Sequence, residues 1–217
     1  MTASHKESQI MVSIDAGSSN TAIAVLTQCD RKISIVRAWE NTPDRTGLRG
    51  SERPELPSVT YCIDDKFYYG WPPPNIIAND SQTIRAIKTY IDDGDGANAL
   101  AMKETFQQKV KSNMTTGEAV YKGYLDYTLE HTRQHLQDQG LDLGEDPFSA
   151  VIFLLPPTFQ RPDRQDKVKH VASGWNFDKK GYFVSEHEAA LNSAIEHHHK
   201  LQEDVKNKVQ YLSKLRG

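Results

Sequence analysis

Residues 11–26 read MVSIDAGSSNTAIAVL, and this stretch decides how the rest of the chain is interpreted. Two short apolar runs, Met11–Ile14 and Ala22–Leu26, flank the turn-forming residues Asp15–Asn20. This order predicts a strand, a turn and a second strand. The following residues 32–39 are rich in β-forming side chains, so we expect the hairpin to extend into a three-stranded meander.

The middle of the chain predicts a boundary, a second hairpin and a helix. Residues 40–57 are rich in Pro, Gly and Arg, which is typical of a loop or a domain boundary. Val59–Ile63 and Phe67–Gly70 then predict a hairpin closed by residues 64–66. Ser81–Asp92 carries isoleucines at helical spacing, which predicts a helix capped by Ser81.

Helices and strands alternate in the second half of the sequence. The predicted helices are Thr116–Gln139, Asp163–Trp175 and a long one from Glu188 onward, and the predicted buried strands are Ala150–Leu155 and Tyr182–Val184. An uninterrupted apolar strand is typical of parallel pairing with both sheet faces covered. We therefore expect an α/β protein in which parallel pairing comes late in the chain.

Composition excludes several classes of protein. The chain has 217 residues, with 26 Lys and Arg against 29 Asp and Glu, so its net charge of -3 does not favour nucleic acid as a partner. Two cysteines, Cys29 and Cys62, cannot form a disulfide framework. The polar N-terminus lacks the apolar core of a secretory signal, and no apolar run is long enough to span a membrane. These features predict a cytoplasmic protein with no membrane partner.

The first turn is the candidate for chemistry. Gly17 has no Cβ to obstruct a phosphate, and Ser18 and Ser19 offer hydroxyl groups and backbone N–H groups. Asp15, at the end of the first strand, can hold Mg²⁺ through its waters. The alternative is an ordinary surface turn, because Asp, Gly, Ser and Asn are common turn residues. The chain contains neither a Walker A loop nor a GxGxxG motif.

Four short motifs in order resemble the N-terminal lobe of the heat-shock protein 70 family of actin-like ATPases, most closely its divergent fungal relatives. These motifs are Ile14–Ser19, then Pro57–Tyr61 with Tyr69–Trp71, then Leu155–Phe159 with Arg164 and Gln165, and finally Val184–Ala190. The resemblance covers residues 10–196. It implies an α/β fold of the actin-like ATPase (ribonuclease H-like) kind, with a mixed sheet, flanking helices and an inserted subdomain.

The resemblance also implies domain limits. The lobe core would comprise residues 10–45 and 114–196, with the inserted subdomain at 46–113. Residues 197–217 would form a C-terminal amphipathic helix, because Leu201, Val205, Val209 and Leu212 recur at helical spacing.

Site residues and cofactors follow from the same resemblance. ATP and Mg²⁺ would be the cofactors, with Asp15 orienting the metal's waters and Gly17, Ser18, Ser19 and Asn20 forming the phosphate loop. Glu186 would be the catalytic residue near the metal and the attacking water. Pro156 and Arg164 would relay the nucleotide state between lobes.

Departures from the family pattern limit the expected activity. The family's catalytic lysine would fall on Pro74, and His187 replaces the proline that usually follows the glutamate. Nothing after Ala194 resembles the second phosphate loop or the second lobe. We therefore expect a truncated ATP-binding protein with weak or no hydrolysis, so that its status as an enzyme stays open. The alternative is a non-catalytic module that binds a protein partner through the exposed inter-lobe face or the C-terminal helix.

Overall fold

The computed structural model describes residues 10–27, 31–36, 56–72, 79–86, 88–89, 104, 106–108, 116–156, 159, 161–193, 196, 200 and 203. The structural statements below refer to these residues. Predictions for residues 37–55, for Pro74, for the end of the helix predicted at Ser81–Asp92 and for most of the C-terminal helix lie outside them.

Strands and helices of the described residues are numbered here in chain order. The strands are β1 (Ile10–Ala16), β2 (Asn20–Thr27), β3 (Lys32–Ile35), β4 (Leu56–Pro57), β5 (Val59–Ile63), β6 (Lys66–Tyr69), β7 (Thr83–Arg85), β8 (Phe148–Leu155) and β9 (Gly181–Ser185). The helices are α1 (Gly117–Asp138), α2 (Pro162–Val171) and α3 (Phe177–Lys180). Residues 186–193, directly after β9, are also helical.

The central sheet is mixed, with strand order β3-β2-β1-β8-β9, and β4 pairs with the start of β2. β1 is antiparallel to β2 but parallel to β8, and β8 is parallel to β9. The predicted α/β class, the first hairpin and the late parallel pairing are therefore confirmed. A strand with partners on both sides can bury alternate residues on a covered face, as β1 does with Ile10, Val12 and Ile14.

Helix α1 packs against the core with its long apolar stripe. The side chain of Thr116 accepts a hydrogen bond from the backbone N–H of Ala119 at 3.1 Å, which confirms the predicted cap. The residues Tyr124 and Leu125 are almost completely buried. Beyond the end of the helix, Gly140 has φ 80°, a left-handed conformation that glycine adopts without steric cost. None of the helices among the described residues combines the length and the apolar character needed to cross a membrane.

A separate three-stranded sheet has the order β6-β5-β7. The hairpin between β5 and β6 matches its prediction, and its turn residues Asp64 and Asp65 have φ of 50° and 58°. Positive φ at both central residues matches the twist of the flanking strands. This sheet lies within the predicted insertion at 46–113, whose limits stay a prediction.

The helix predicted from Ser81 is wrong over its first residues. Asn79, not Ser81, caps a single 3₁₀ turn at Asp80–Gln82, and the chain then forms β7. Pairing with β5 buries Ile84 completely, so the isoleucine spacing reflects a sheet position there. Ala86 has φ 51°, which a helix does not allow.

Two further predictions need smaller corrections. The helix predicted at Asp163–Trp175 is α2, which ends at Val171. A separate 3₁₀ turn follows it at Ser173–Trp175. The strand predicted as buried at Tyr182–Val184 is β9, which lies at the end of the strand order with Tyr182 60% exposed. Its apolar residues therefore mark an edge strand and not a central one.

Candidate functional site

The predicted site residues come from the ends of three parallel strands. Asp15 is the second-last residue of β1, Pro156 follows β8 and Glu186 follows β9. Because β1, β8 and β9 run in the same direction, their carboxyl ends meet at one edge of the sheet. That edge is where open α/β sheets bind ligands.

The turn between β1 and β2 forms an open pocket at this edge. Its volume is about 340 Å³, and it is lined by Asp15, Gly17, Ser18, Ser19, Asn20 and Ala22. The N–H of Gly17 donates to the carbonyl of Asn20 at 3.0 Å and closes the turn. A Cβ at Gly17 would lie 2.7 Å from the same carbonyl oxygen, so no side chain fits there. Asp15 and the four residues of the predicted phosphate loop therefore all line one pocket.

A cluster of buried polar side chains anchors this turn to the junction of β4 and β5 and to α1. The N–H of Ser58 donates to the carbonyl of Ser19 at 2.8 Å, and the Ser58 hydroxyl lies 2.9 Å from that of Thr21. The hydroxyl of Tyr124 on α1 donates to Thr21 Oγ1, also at 2.9 Å. Tyr124 lies within the helix predicted at Thr116–Gln139, and the helical pattern alone does not indicate this contact. Fully satisfied buried hydrogen bonds of this kind rigidify the segment that they join.

Lys88 is the charged residue that the sequence analysis missed. Its side chain is buried, only 5% exposed, and the carboxylates of Glu186 and Asp15 act on it electrostatically. Burial lowers the pKa of Lys88 below its ordinary value, and those two negative charges oppose the shift. The sequence contains one indication of this burial. Lys88 follows Ile84 by four residues in the predicted helix, so the two would share the apolar face of that helix.

Phe159 connects Lys88 with the two residues predicted to form the relay. Its backbone N–H donates to the carbonyl of Pro156 at 2.9 Å. Its ring centroid lies 5.3 Å from Lys88 Nζ and 5.7 Å from the guanidinium carbon of Arg164. Pro156 and Arg164 therefore both contact a residue that also contacts Lys88, while their role as a relay stays a prediction.

Glu186 is positioned by the start of its helix. The N–H of Ser185 donates to Glu188 Oε2 and the N–H of His187 donates to Ser185 Oγ, each at 3.2 Å. These paired bonds resemble a capping box, which fixes the first turn after β9. Glu186 itself is half-buried.

The residues at this edge fit a magnesium-bound phosphate group. No group of three His, Cys, Asp or Glu side chains within the described ranges could hold a metal ion. Mg²⁺ does not need such a group, because it is commonly bound by one or two carboxylates together with water and the phosphates of a substrate. Asp15 supplies a carboxylate, the turn supplies N–H and hydroxyl groups, and Lys88 supplies a positive charge.

Searches against known protein families and against curated protein sequences find no match for this chain.

Two buried tyrosines next to the site predict a loss of stability at alkaline pH. Burial raises the pKa of Tyr121 and of Tyr124 above the ordinary value of 10.0, and the charge of Asp15 raises that of Tyr121 further. The folded state therefore keeps protons that the unfolded state releases above pH 10. We expect full stability below that pH and a decline above it, by up to about 1.4 kcal/mol per pH unit for each tyrosine.

Urea unfolding between neutral pH and a pH well above 10 measures this decline. Tyr121→Phe removes one of the two ionisations and should make the alkaline decline less steep. Tyr182→Phe is the matched control, because Tyr182 is 60% exposed. An unchanged decline in Tyr121→Phe would contradict the role of the buried hydroxyl.

Proposed function

We propose that this chain binds the phosphates of Mg-ATP in the pocket of the β1–β2 turn, as an actin-like ATPase lobe related to the heat-shock protein 70 family. The observations that carry the proposal are that Asp15 lines the pocket of the turn, that Glu186 follows β9 at the same edge of the sheet, and that both carboxylates act electrostatically on the buried Lys88. The mixed sheet with flanking helices is compatible with the fold that the four motifs imply.

Each residue has a separate task in this proposal. Asp15 orients the waters of Mg²⁺, which when bound neutralises phosphate charge. The N–H and hydroxyl groups of Ser18 and Ser19 contact the phosphates in this proposal, while Gly17 donates its N–H to the carbonyl of Asn20 and closes the turn. Lys88 supplies a cation in a poorly solvated position, where its attraction for a phosphate is stronger than in water.

In this proposal Glu186 orients the attacking water, and hydrolysis by this chain is weak or absent. Phosphoryl transfer requires donors placed around the whole transferring group. In this sequence Pro74 stands where the catalytic lysine of the resembled family would fall.

An NMR titration with Mg-ATP tests the proposal. We expect a dissociation constant of about 0.1–1 mM, because one phosphate loop contributes only part of a nucleotide site. Inorganic tripolyphosphate with Mg²⁺ should shift the same turn resonances, whereas adenosine should leave them unchanged. Asp15→Asn should weaken binding, and Asp178→Asn, which removes an exposed carboxylate on α3, should not.

Two results would contradict the proposal. Absence of any shift in the turn residues at saturating Mg-ATP would exclude this pocket as a phosphate site. A dissociation constant below micromolar would show that a second set of binding residues contributes.

Binding of a protein partner is the second candidate function, and it has one observation in its favour. Tyr182 on β9 and Leu191 in the helical residues after it are each 60% exposed. Sedimentation over a range of concentrations tests whether that partner is a second copy, since Leu191→Ser should then abolish the self-association.

A further inference from the structure

The buried side chain of Phe159 has two cations close to its ring. It is 5% exposed, and both Lys88 Nζ and the Arg164 guanidinium carbon lie within 6 Å of its ring centroid. A positive charge at such a distance over an aromatic face is attracted by the ring's quadrupole, and the attraction is strongest where water is excluded.

Lys88 needs a partner of this kind. A buried ammonium loses its hydration and is stable only when other groups compensate for that loss. The carboxylates of Glu186 and Asp15 contribute opposite charge. The ring of Phe159 attracts the ammonium without carrying a negative charge. It therefore holds the ammonium in place but competes with an incoming phosphate less strongly than a carboxylate does.

The position of the ring is itself set by the sheet. Phe159 follows β8 closely, and its N–H is bonded to the carbonyl of Pro156 at the carboxyl end of that strand. The ring therefore stands at the same sheet edge as the phosphate turn. An anchored ring restricts the Lys88 side chain before any ligand arrives. The lysine therefore loses less conformational entropy when it binds the ligand.

We propose that Phe159 is a positioning residue whose ring holds the Lys88 ammonium in place for phosphate binding. This inference rests on the proposed function. It adds a residue that acts through Lys88 and does not itself touch the ligand.

Graded fluorination of the ring separates this role from simple packing. Mono-, di- and trifluorinated phenylalanine at position 159 keep nearly the same shape but progressively weaken the ring's attraction for cations. We expect Mg-tripolyphosphate affinity to fall stepwise along this series. Phe159→Leu, which removes the ring, should weaken affinity by about tenfold. Phe177→Leu is the matched control, since Phe177 is equally buried but packs against Phe153 and Phe183.

A second readout needs no ligand. Protons above an aromatic face are shifted upfield, so the ε-methylene protons of Lys88, assigned with Lys88→Arg, should resonate upfield of those of other lysines. Phe159→Leu should remove that shift, while Phe177→Leu should retain it. The melting temperature of each variant shows that it is folded.

The outcomes distinguish the inference from the proposed function. Stepwise loss of affinity together with loss of the Lys88 shift in Phe159→Leu supports the inference. Unchanged affinity across the fluorinated series, or a Lys88 signal that Phe159→Leu leaves in place, overturns it. If the unmodified chain binds no phosphate, the proposed function fails, and the Lys88 signal still decides whether Phe159 positions the ammonium.

Discussion

Lys88→Met is expected to weaken Mg-ATP binding by about thirty- to a hundredfold, which corresponds to about 2–3 kcal/mol. Methionine has a similar length but lacks the positive charge that attracts the phosphates. The side chain is 5% exposed, so bulk water cannot replace the lost cation at that position. The measurement is the same NMR titration of the turn residues with Mg-ATP.

The folded state should tolerate this change. Replacing a buried charge by an apolar side chain of similar volume is often neutral or stabilising, although it leaves Glu186 and Asp15 without the nearby ammonium. Lys179→Met removes an exposed lysine on α3 and should leave affinity unchanged. Equal affinity in Lys88→Met and Lys179→Met would show that the buried ammonium does not contribute to the site.

Trp175→Ala is expected to lower the free energy of unfolding by about 3–5 kcal/mol. Trp175 is 1% exposed, and its indole N–H donates to the carbonyl of Leu125 on α1 at 3.1 Å. Its ring lies 5.5 Å from that of Phe148 on β8. The substitution therefore opens a cavity where a helix, the central sheet and a 3₁₀ turn meet. Denaturant unfolding followed by circular dichroism measures the effect.

Trp175→Phe provides the comparison for this prediction. It keeps an aromatic ring but removes the indole N–H, leaving the Leu125 carbonyl without that donor. We expect a loss of about 1–3 kcal/mol for this variant, which is smaller than that of Trp175→Ala. A loss below about 1 kcal/mol in Trp175→Ala would mean that this junction does not hold the layers together.

The sequence predicted those elements whose local pattern and tertiary environment agree. β1 and β8 are apolar runs that become adjacent inner strands, and Thr116 caps α1 through a contact three residues away. The pocket residues were also predictable, since Asp15–Asn20 combines turn composition with a place between two strands. In these cases the information lies within a few neighbouring residues.

Contacts between distant segments could not be predicted in the same way. Thr83–Arg85 forms a strand because β5 pairs with it, although its isoleucine lies in a helical series. Lys88 reaches the site through a fold that brings it near Glu186, about a hundred residues further along the chain. Tyr124 and Thr21 are separated by 103 positions and meet only in the folded core. Short-range patterns contain no information on such pairings.

The central pairing of β1 with β8 also determines when the sheet can be completed during synthesis. The Ser149 hydroxyl donates to the carbonyl of Ile10 across 139 residues of sequence. At about 5–20 residues per second, a ribosome needs roughly 7–30 s to produce that interval. Until then the hairpin of β1 and β2 exposes an unpaired edge, which can pair with other chains. Glu186 emerges later still, so the carboxyl ends of β1, β8 and β9 come together at one sheet edge only after the whole interval has been synthesised.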